Sequence, residues 1–206
     1  MQEEVRGADE KTLEKYAHII STLPKKISWA NDQYEYQGFW YNGLLLNAVM
    51  SVQDNFKARL SDILIASSPR SGTTWLKALV FALLNRNPEN PKSNHVMFAA
   101  NPHEYVPFLE IQLYAKNRIP NLDVMPSPRL LATHIPYSSL PKSAKDSGCR
   151  IVYISRDIKD VFVSLWHFVN EVRRDMKKAI SLKEAFESYC DGVSVYGQYG
   201  TINWGT

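Results

Sequence analysis

The 206-residue sequence predicts an α/β protein of three layers with a central parallel sheet. Three observations lead there. The runs Asp62-Ile-Leu-Ile-Ala-Ser67, Arg129-Leu-Leu-Ala-Thr133 and Arg150-Ile-Val-Tyr-Ile-Ser155 are of strand length and lack polar alternation, as expected of strands buried on both faces. Helical patterns follow the first and the third. The polar residues with chemical potential fall just after strand ends, where open parallel sheets hold their ligands.

Taken in order, the first element is an amphipathic helix from Glu10 to Thr22, with Leu13, Tyr16, Ala17 and Ile20 on one face and Pro24 as its stop. Trp29 to Trp40 is dense in aromatics, with Gly38 inside it, and leads into an apolar helical run from Gly43 to Phe56. The first buried strand, Asp62 to Ser67, is followed at once by Ser68-Pro-Arg-Ser-Gly-Thr-Thr74 and a helix from Trp75 to Asn85. A connection rich in Pro and Asn (Asn85 to Asn94) precedes a loop and then a helix between Pro102 and Tyr114. The second strand ends in His134; the third ends in Arg156 and feeds a helix from Asp157 to about Val172. A last helix, Ser181 to Cys190, leads to Tyr196-Gly197. No internal repeat or low-complexity segment interrupts this order.

Composition narrows the function. With 45% apolar residues and 12% aromatics the chain can bury one substantial core, so a single domain over 1–206 is expected. The formal charge of +3 suits a small anionic ligand and falls short of a nucleic-acid-binding charge density. Cys149 and Cys190 supply neither a disulfide framework nor metal-site spacing, which predicts a reducing, cytoplasmic setting. The polar N-terminus and the shortness of every apolar run predict no targeting signal and no membrane contact.

The segment Pro69-Arg-Ser-Gly-Thr-Thr-Trp75 sets small and hydroxyl residues between a buried strand and a helix N-terminus. There, backbone N–H groups and the helix dipole attract a phosphate, and Gly72 allows close approach. From the residues alone, a helix capped by Ser or Thr fits equally well. The triphosphate loop G-x-x-x-x-G-K-[ST] is absent, which disfavours a Mg²⁺-dependent kinase.

This loop resembles the 5'-phosphosulfate loop of the cytosolic sulfotransferases. Tyr36-Gln-Gly-Phe-Trp40, Asn101-Pro-His-Glu, Ala132-Thr-His-Ile-Pro136, Ile151 to Phe168 and Gly192-Val-Ser-Val-Tyr-Gly197 are similar in order and spacing to plant members of that family, closest to the flavonol sulfotransferase-like group. The resemblance implies the sulfotransferase fold, transfer of a sulfuryl group from 3'-phosphoadenosine 5'-phosphosulfate (PAPS) to a hydroxyl of a small acceptor, and no metal.

The resemblance also implies roles. His134 takes the place of the general base; as a lone histidine it is more often structural. Arg70 stands where the family has a lysine that assists the leaving group; arginine keeps the charge but cannot donate its proton. Ser71, Gly72, Thr73 and Thr74 complete the anion loop. Arg156 and Ser164 match the pair that holds the 3'-phosphate. Without the family match, Arg156 reads as a helix-start ion pair with Asp157 or Asp160, and Ser164 as a solvated or back-bonded serine. Trp75 and Tyr196 match positions that pack on adenine. Phe39, Trp40, His103 and Phe108 are candidates for the acceptor pocket.

The pattern breaks after Tyr196-Gly197. Family members continue with Pro-Phe/Trp-Trp-x-His and a further third of the protein, whereas residues 198–206 form a divergent tail. The expectation is therefore the N-terminal two-thirds of the domain, incomplete at the C-terminus, with weak or absent PAPS binding and poor solubility. The alternative is a catalytically inactive fragment that binds or regulates full-length relatives. The acceptor and the oligomeric state stay open.

Overall fold

The structure, a computed structural model, describes residues 5–29, 31–86, 101–174, 179–194 and 196. The divergent tail and most of the Asn85 to Asn94 connection lie outside them. Strands β1 (Val5–Gly7) and β6 (Arg118–Pro120) pair at one edge. Helix α1 (Glu10–Thr22) starts where Asp9 accepts a hydrogen bond from the Thr12 N–H at 2.7 Å.

The aromatic segment after α1 is an antiparallel sheet, β2 (Lys25–Ser28), β3 (Asn31–Tyr36) and β4 (Phe39–Asn42). The β3–β4 hairpin turns on Gln37 and Gly38, with φ of 54° and 83°. Two consecutive positive φ values match the twist of the flanking strands, and the second falls on a glycine. Helix α2 (Gly43–Asn55) follows, with the Asn42 side chain accepting from the Leu45 N–H.

The central sheet has the order β7-β5-β8 and is parallel throughout: β5 (Ile63–Ser67) lies between β7 (Leu130–Thr133) and β8 (Arg150–Ile154). Every residue of β5 and β7 is buried, as their unbroken apolar character requires. Alternation divides them between two layers. Ile63, Ile65, Leu130 and Ala132 pack with Val80 of α3 (Thr73–Leu84), whereas Leu64 and Leu131 join Val49 and Val52 of α2 in the main core. Helix, sheet and helix thus form the three layers.

The register of β5 against β7 is pinned at their starts by a buried ion pair, Arg129 Nε to Asp62 Oδ1 at 2.8 Å and Nη2 to Oδ2 at 2.5 Å. Two backbone carbonyls, of Lys57 and Leu122, accept two further guanidinium hydrogens. A buried charge is tolerable only when it is paired and hydrogen-bonded in this way.

Between α3 and β7 the chain departs from the expected loop and single helix. A four-residue helix α4 (Pro102–Tyr105) is followed by extended backbone, Phe108 bridging to Ala132 at the free edge of β7, and then one π-helical turn, Leu109–Leu113. Extra pairing at the sheet edge interrupts the helical run and aims Phe108 and Glu110 toward the strand's carboxyl end. Helix α5 (Lys142–Asp146) precedes β8; α6 (Ile158–Val172) and α7 (Leu182–Cys190) pack together through Phe162, Leu165 and Ala185. Among the described residues, no helix is long and apolar enough to cross a membrane.

Candidate active site

A cavity of about 540 Å³ opens at the carboxyl end of the sheet, between the β5–α3 loop, the start of α6 and the segment around Phe108. It brings together Arg70, Gly72, Thr73, Thr74, Trp75, His103, Phe108, His134, Arg156, Ser164 and Tyr196. Residues far apart in sequence meet because three strands end on one edge.

The loop after β5 leads straight into the N-terminus of α3. Gly72, with φ of 101°, is the N-cap of α3, and no side chain caps the helix. The capped-helix alternative is thereby set aside: Thr73 spends its hydroxyl on Ser67, 2.6 Å away, rather than on the cap. No side chain caps the first N–H groups of α3, where the helix dipole favours negative charge. A Cβ at Gly72 would stand 3.3 Å from Ile154 in a conformation L residues rarely adopt. Ser71 is buried and does not line the cavity.

His134 directly follows β7 and is buried. Its Nδ1 lies 2.7 Å from the Ser67 carbonyl oxygen, which can only accept, so Nδ1 carries the hydrogen of the neutral ring and Nε2 keeps its lone pair. Burial pushes the imidazole down to about 4, with the Ser67 carbonyl working the other way. The ring is therefore neutral near pH 7, and an anion bound beside it raises its basicity. Phe108 packs on the ring at 4.6 Å between centroids, and Tyr196 meets it edge-on at 5.2 Å.

Beneath His134 stands Glu110, which the sequence reading missed. One oxygen accepts from the His134 N–H at 2.8 Å and from the Tyr196 hydroxyl at 3.3 Å; the other accepts from Thr133 Oγ1 at 2.9 Å. Burial raises its carboxyl despite these bonds. A lone acid in Pro107-Phe-Leu-Glu-Ile111 was the available signal. Lys77 was missed as well, although it is the one charge in the otherwise apolar helix Thr73–Leu84.

On the opposite wall, the Arg70 Nε donates to Ser164 Oγ at 3.0 Å, and the guanidinium lies over the Phe168 ring at 4.9 Å. Arg70 is thus engaged with α6 through Ser164, the residue that the resemblance implies for the 3'-phosphate. Arg156 pairs with Asp160 at 3.2 Å, the helix-start ion pair considered from the sequence, while still lining the cavity. Both side chains are partly exposed, so the pair contributes little stability and yields readily to an anion.

The aromatic candidates separate. Trp75 is 78% exposed at the cavity rim, whereas Tyr196 is buried against His134 and Glu110. His103 and Phe108 stack at 5.5 Å in the wall. Phe39 and Trp40 do not reach the cavity: Phe39 belongs to the main core, and Trp40 is buried on β4 with Lys26 5.4 Å from its ring. Alternation along β4 puts Phe39 and Tyr41 in the main core and Trp40 on the other face, away from the cavity, which aromatic density did not reveal.

In this α/β protein a helix start without a side-chain cap and a neutral imidazole with its lone pair on Nε2 thus line one cavity at the carboxyl end of a parallel sheet. Residues 60–201, more than half of the chain, match the family model for the sulfotransferase domain, and the chain belongs to that family. It is 43% identical over 196 residues to cytosolic sulfotransferase 12 of Arabidopsis thaliana and 44% identical over 194 residues to cytosolic sulfotransferase 17 of the same plant. These alignments cover 93% and 92% of this chain but 59% and 55% of the relatives, so the chain spans little more than half their length. A solved Arabidopsis thaliana structure assigned as a steroid sulphotransferase superposes with a TM-score of 0.78 at 41% identity, covering 96% of this chain and 68% of that one. A mouse sulfotransferase complexed with PAP shares the fold, with a TM-score of 0.59 at 23% identity over 81% of this chain and 54% of that one.

Proposed function

We propose that this chain carries the donor loop and the base of a PAPS-dependent sulfotransferase acting, in the cytoplasm, on a small hydroxylated acceptor such as a flavonol or another phenolic. The observation that supports it most is the fixed tautomer of His134: with Nδ1–H held by Ser67, Nε2 is a proton acceptor in the cavity that the anion loop lines. In this reading the acceptor's hydroxyl loses its proton to His134 Nε2 as its oxygen bonds to sulfur. The sulfur–oxygen bond to the phosphate breaks, and the negative charge leaves with 3'-phosphoadenosine 5'-phosphate. The α3 N–H groups and the Thr74 hydroxyl stabilise the sulfuryl oxygens, and Arg156 with Ser164 holds the 3'-phosphate. Phe108 contributes apolar lining on the acceptor side of the cavity.

A second reading, a chain that binds the donor without transferring, is favoured by Arg70. Its guanidinium is committed to Ser164, and arginine gives no proton to a leaving group. Melting the purified chain with and without 3'-phosphoadenosine 5'-phosphate tests the donor site, because a ligand that binds only the folded state raises Tm. If the donor site is formed despite the missing C-terminal third, Tm shifts upward and Arg156→Ala removes the shift; no shift in the unaltered chain refutes the donor site and fits the weak or absent binding expected from the sequence. Turnover of a phenolic acceptor then separates enzyme from binder. In the binder, Arg70→Lys leaves turnover absent.

A further inference from the structure

Lys77 is wholly buried, yet no step above uses it. It sits one turn into α3 with its Nζ 3.0 Å from His103 Nδ1 and 3.3 Å from the centroid of the Phe108 ring. His103 Nε2 in turn lies 3.3 Å from Thr74 Oγ1, on the first turn of the same helix and in the cavity wall. Lysine, imidazole and threonine therefore form one continuous line from the protein interior to the anion loop.

We propose that Lys77 is a positioning residue of the anion loop, which holds the His103 proton on Nε2 and thereby turns the Thr74 hydroxyl hydrogen toward a ligand oxygen. The direction of each bond follows from the donors and acceptors. An ammonium has three hydrogens and no lone pair, so it can only donate to His103 Nδ1. The face of Phe108 favours that charged form, and the charge of Glu110 does likewise, against burial, which brings the amine down to about 7. With Nδ1 accepting, the hydrogen of a neutral imidazole is on Nε2. Burial, seconded by Lys77, lowers His103 and keeps it neutral. Nε2–H then donates to Thr74 Oγ1, and the threonine's own hydrogen is free for the cavity.

The two cavity histidines consequently carry opposite tautomers on either side of Phe108: His134 presents a lone pair, His103 a donor. This division deepens the proposed function, and its catalytic part rests on that reading: the relay strengthens Thr74 as a donor to a sulfuryl or phosphate oxygen, on the side where Arg70 has turned away.

Tautomers are read directly from imidazole nitrogen shifts in long-range proton–nitrogen spectra of the full chain, at a pH where Lys77 is charged and His103 neutral. His103 is assigned by loss of its signals in His103→Gln. The expected result is Nε2–H in the unaltered chain, a shift of His103 toward Nδ1–H in Lys77→Met, and retention of Nε2–H in Lys77→Arg, which keeps a charged donor should the Met variant fail to fold. Affinity for 3'-phosphoadenosine 5'-phosphate should fall about tenfold in Lys77→Met, the scale of one hydrogen bond to a charged group. Nδ1–H in the unaltered chain, or a His103 tautomer indifferent to Lys77→Met, overturns the proposal. A tautomer that follows Lys77 in a chain that fails to bind the nucleotide upholds the relay and refutes the donor reading.

Discussion

Because the Ser67 carbonyl can only accept, the proton of neutral His134 is confined to Nδ1, and the chemistry of the cavity depends on that one bond. His134→Gln keeps much of the shape but has no basic lone pair. If the proposed function holds, sulfuryl transfer drops by a factor of about 10² or more, while the melting shift with 3'-phosphoadenosine 5'-phosphate persists. The buried ring also makes stability depend on pH. Its folded value, about 4, lies below the ordinary 6.5, so between those values the unfolded chain binds more protons. The stabilisation is complete above pH 6.5 and is lost as pH falls toward 4, to the extent of roughly 3 kcal/mol at about 1.4 kcal/mol per unit. Glu110, raised by burial, works in the opposite direction, so the comparison must be with His134→Gln. Its Tm should decline less than that of the unaltered chain between pH 7 and 4. Both histidines were legible as candidates from motif position. Their tautomers were not, because Ser67 and Lys77 are neighbours only once β5, β7 and α3 have assembled.

At the scale of elements, the outcome followed the strength of the local signal. Helices α1, α2, α6 and α7 begin at Asp9, Asn42, Asp157 and Ser181, each of which caps its own first turn, so their starts can be read from sequence. The β2-β3-β4 sheet was hidden because its strands are joined through cross-strand pairs, Tyr34 with Tyr41 and Tyr36 with Phe39, that no local period records. The turn from Pro102 to Tyr114 was misread for a similar reason: pairing of Phe108 with Ala132, distant in sequence, outweighs helical propensity. The Asp62 and Arg129 pair joins two such elements. Arg129→Met leaves Asp62 as a buried charge without its partner and should cost about 3–5 kcal/mol, measurable by denaturant unfolding. If the loss is within 1 kcal/mol, the pair does not hold the register of β5 and β7.

At the scale of the whole molecule, α3 leaves an apolar stripe in solvent. Trp75, Leu79 and Leu83 recur every fourth residue and are 78%, 57% and 70% exposed. Such a stripe binds hydrophobic dyes and favours self-association. Leu79→Glu with Leu83→Glu should raise the soluble yield and lower dye fluorescence; unchanged values would show that the stripe drives neither. The sequence by itself determined the α/β class, the strand-loop-helix order and the family's motifs, because unbroken apolar runs and capping residues act over a few positions. Tertiary structure alone decided which of the candidates share a cavity. It placed Phe39 in the core, Tyr196 on Glu110 and Arg70 on Ser164, and it made Lys77 and Glu110 neighbours of the two histidines. The physical reason is that burial and hydrogen-bond partnership depend on segments brought together from across the chain, and no local pattern encodes them.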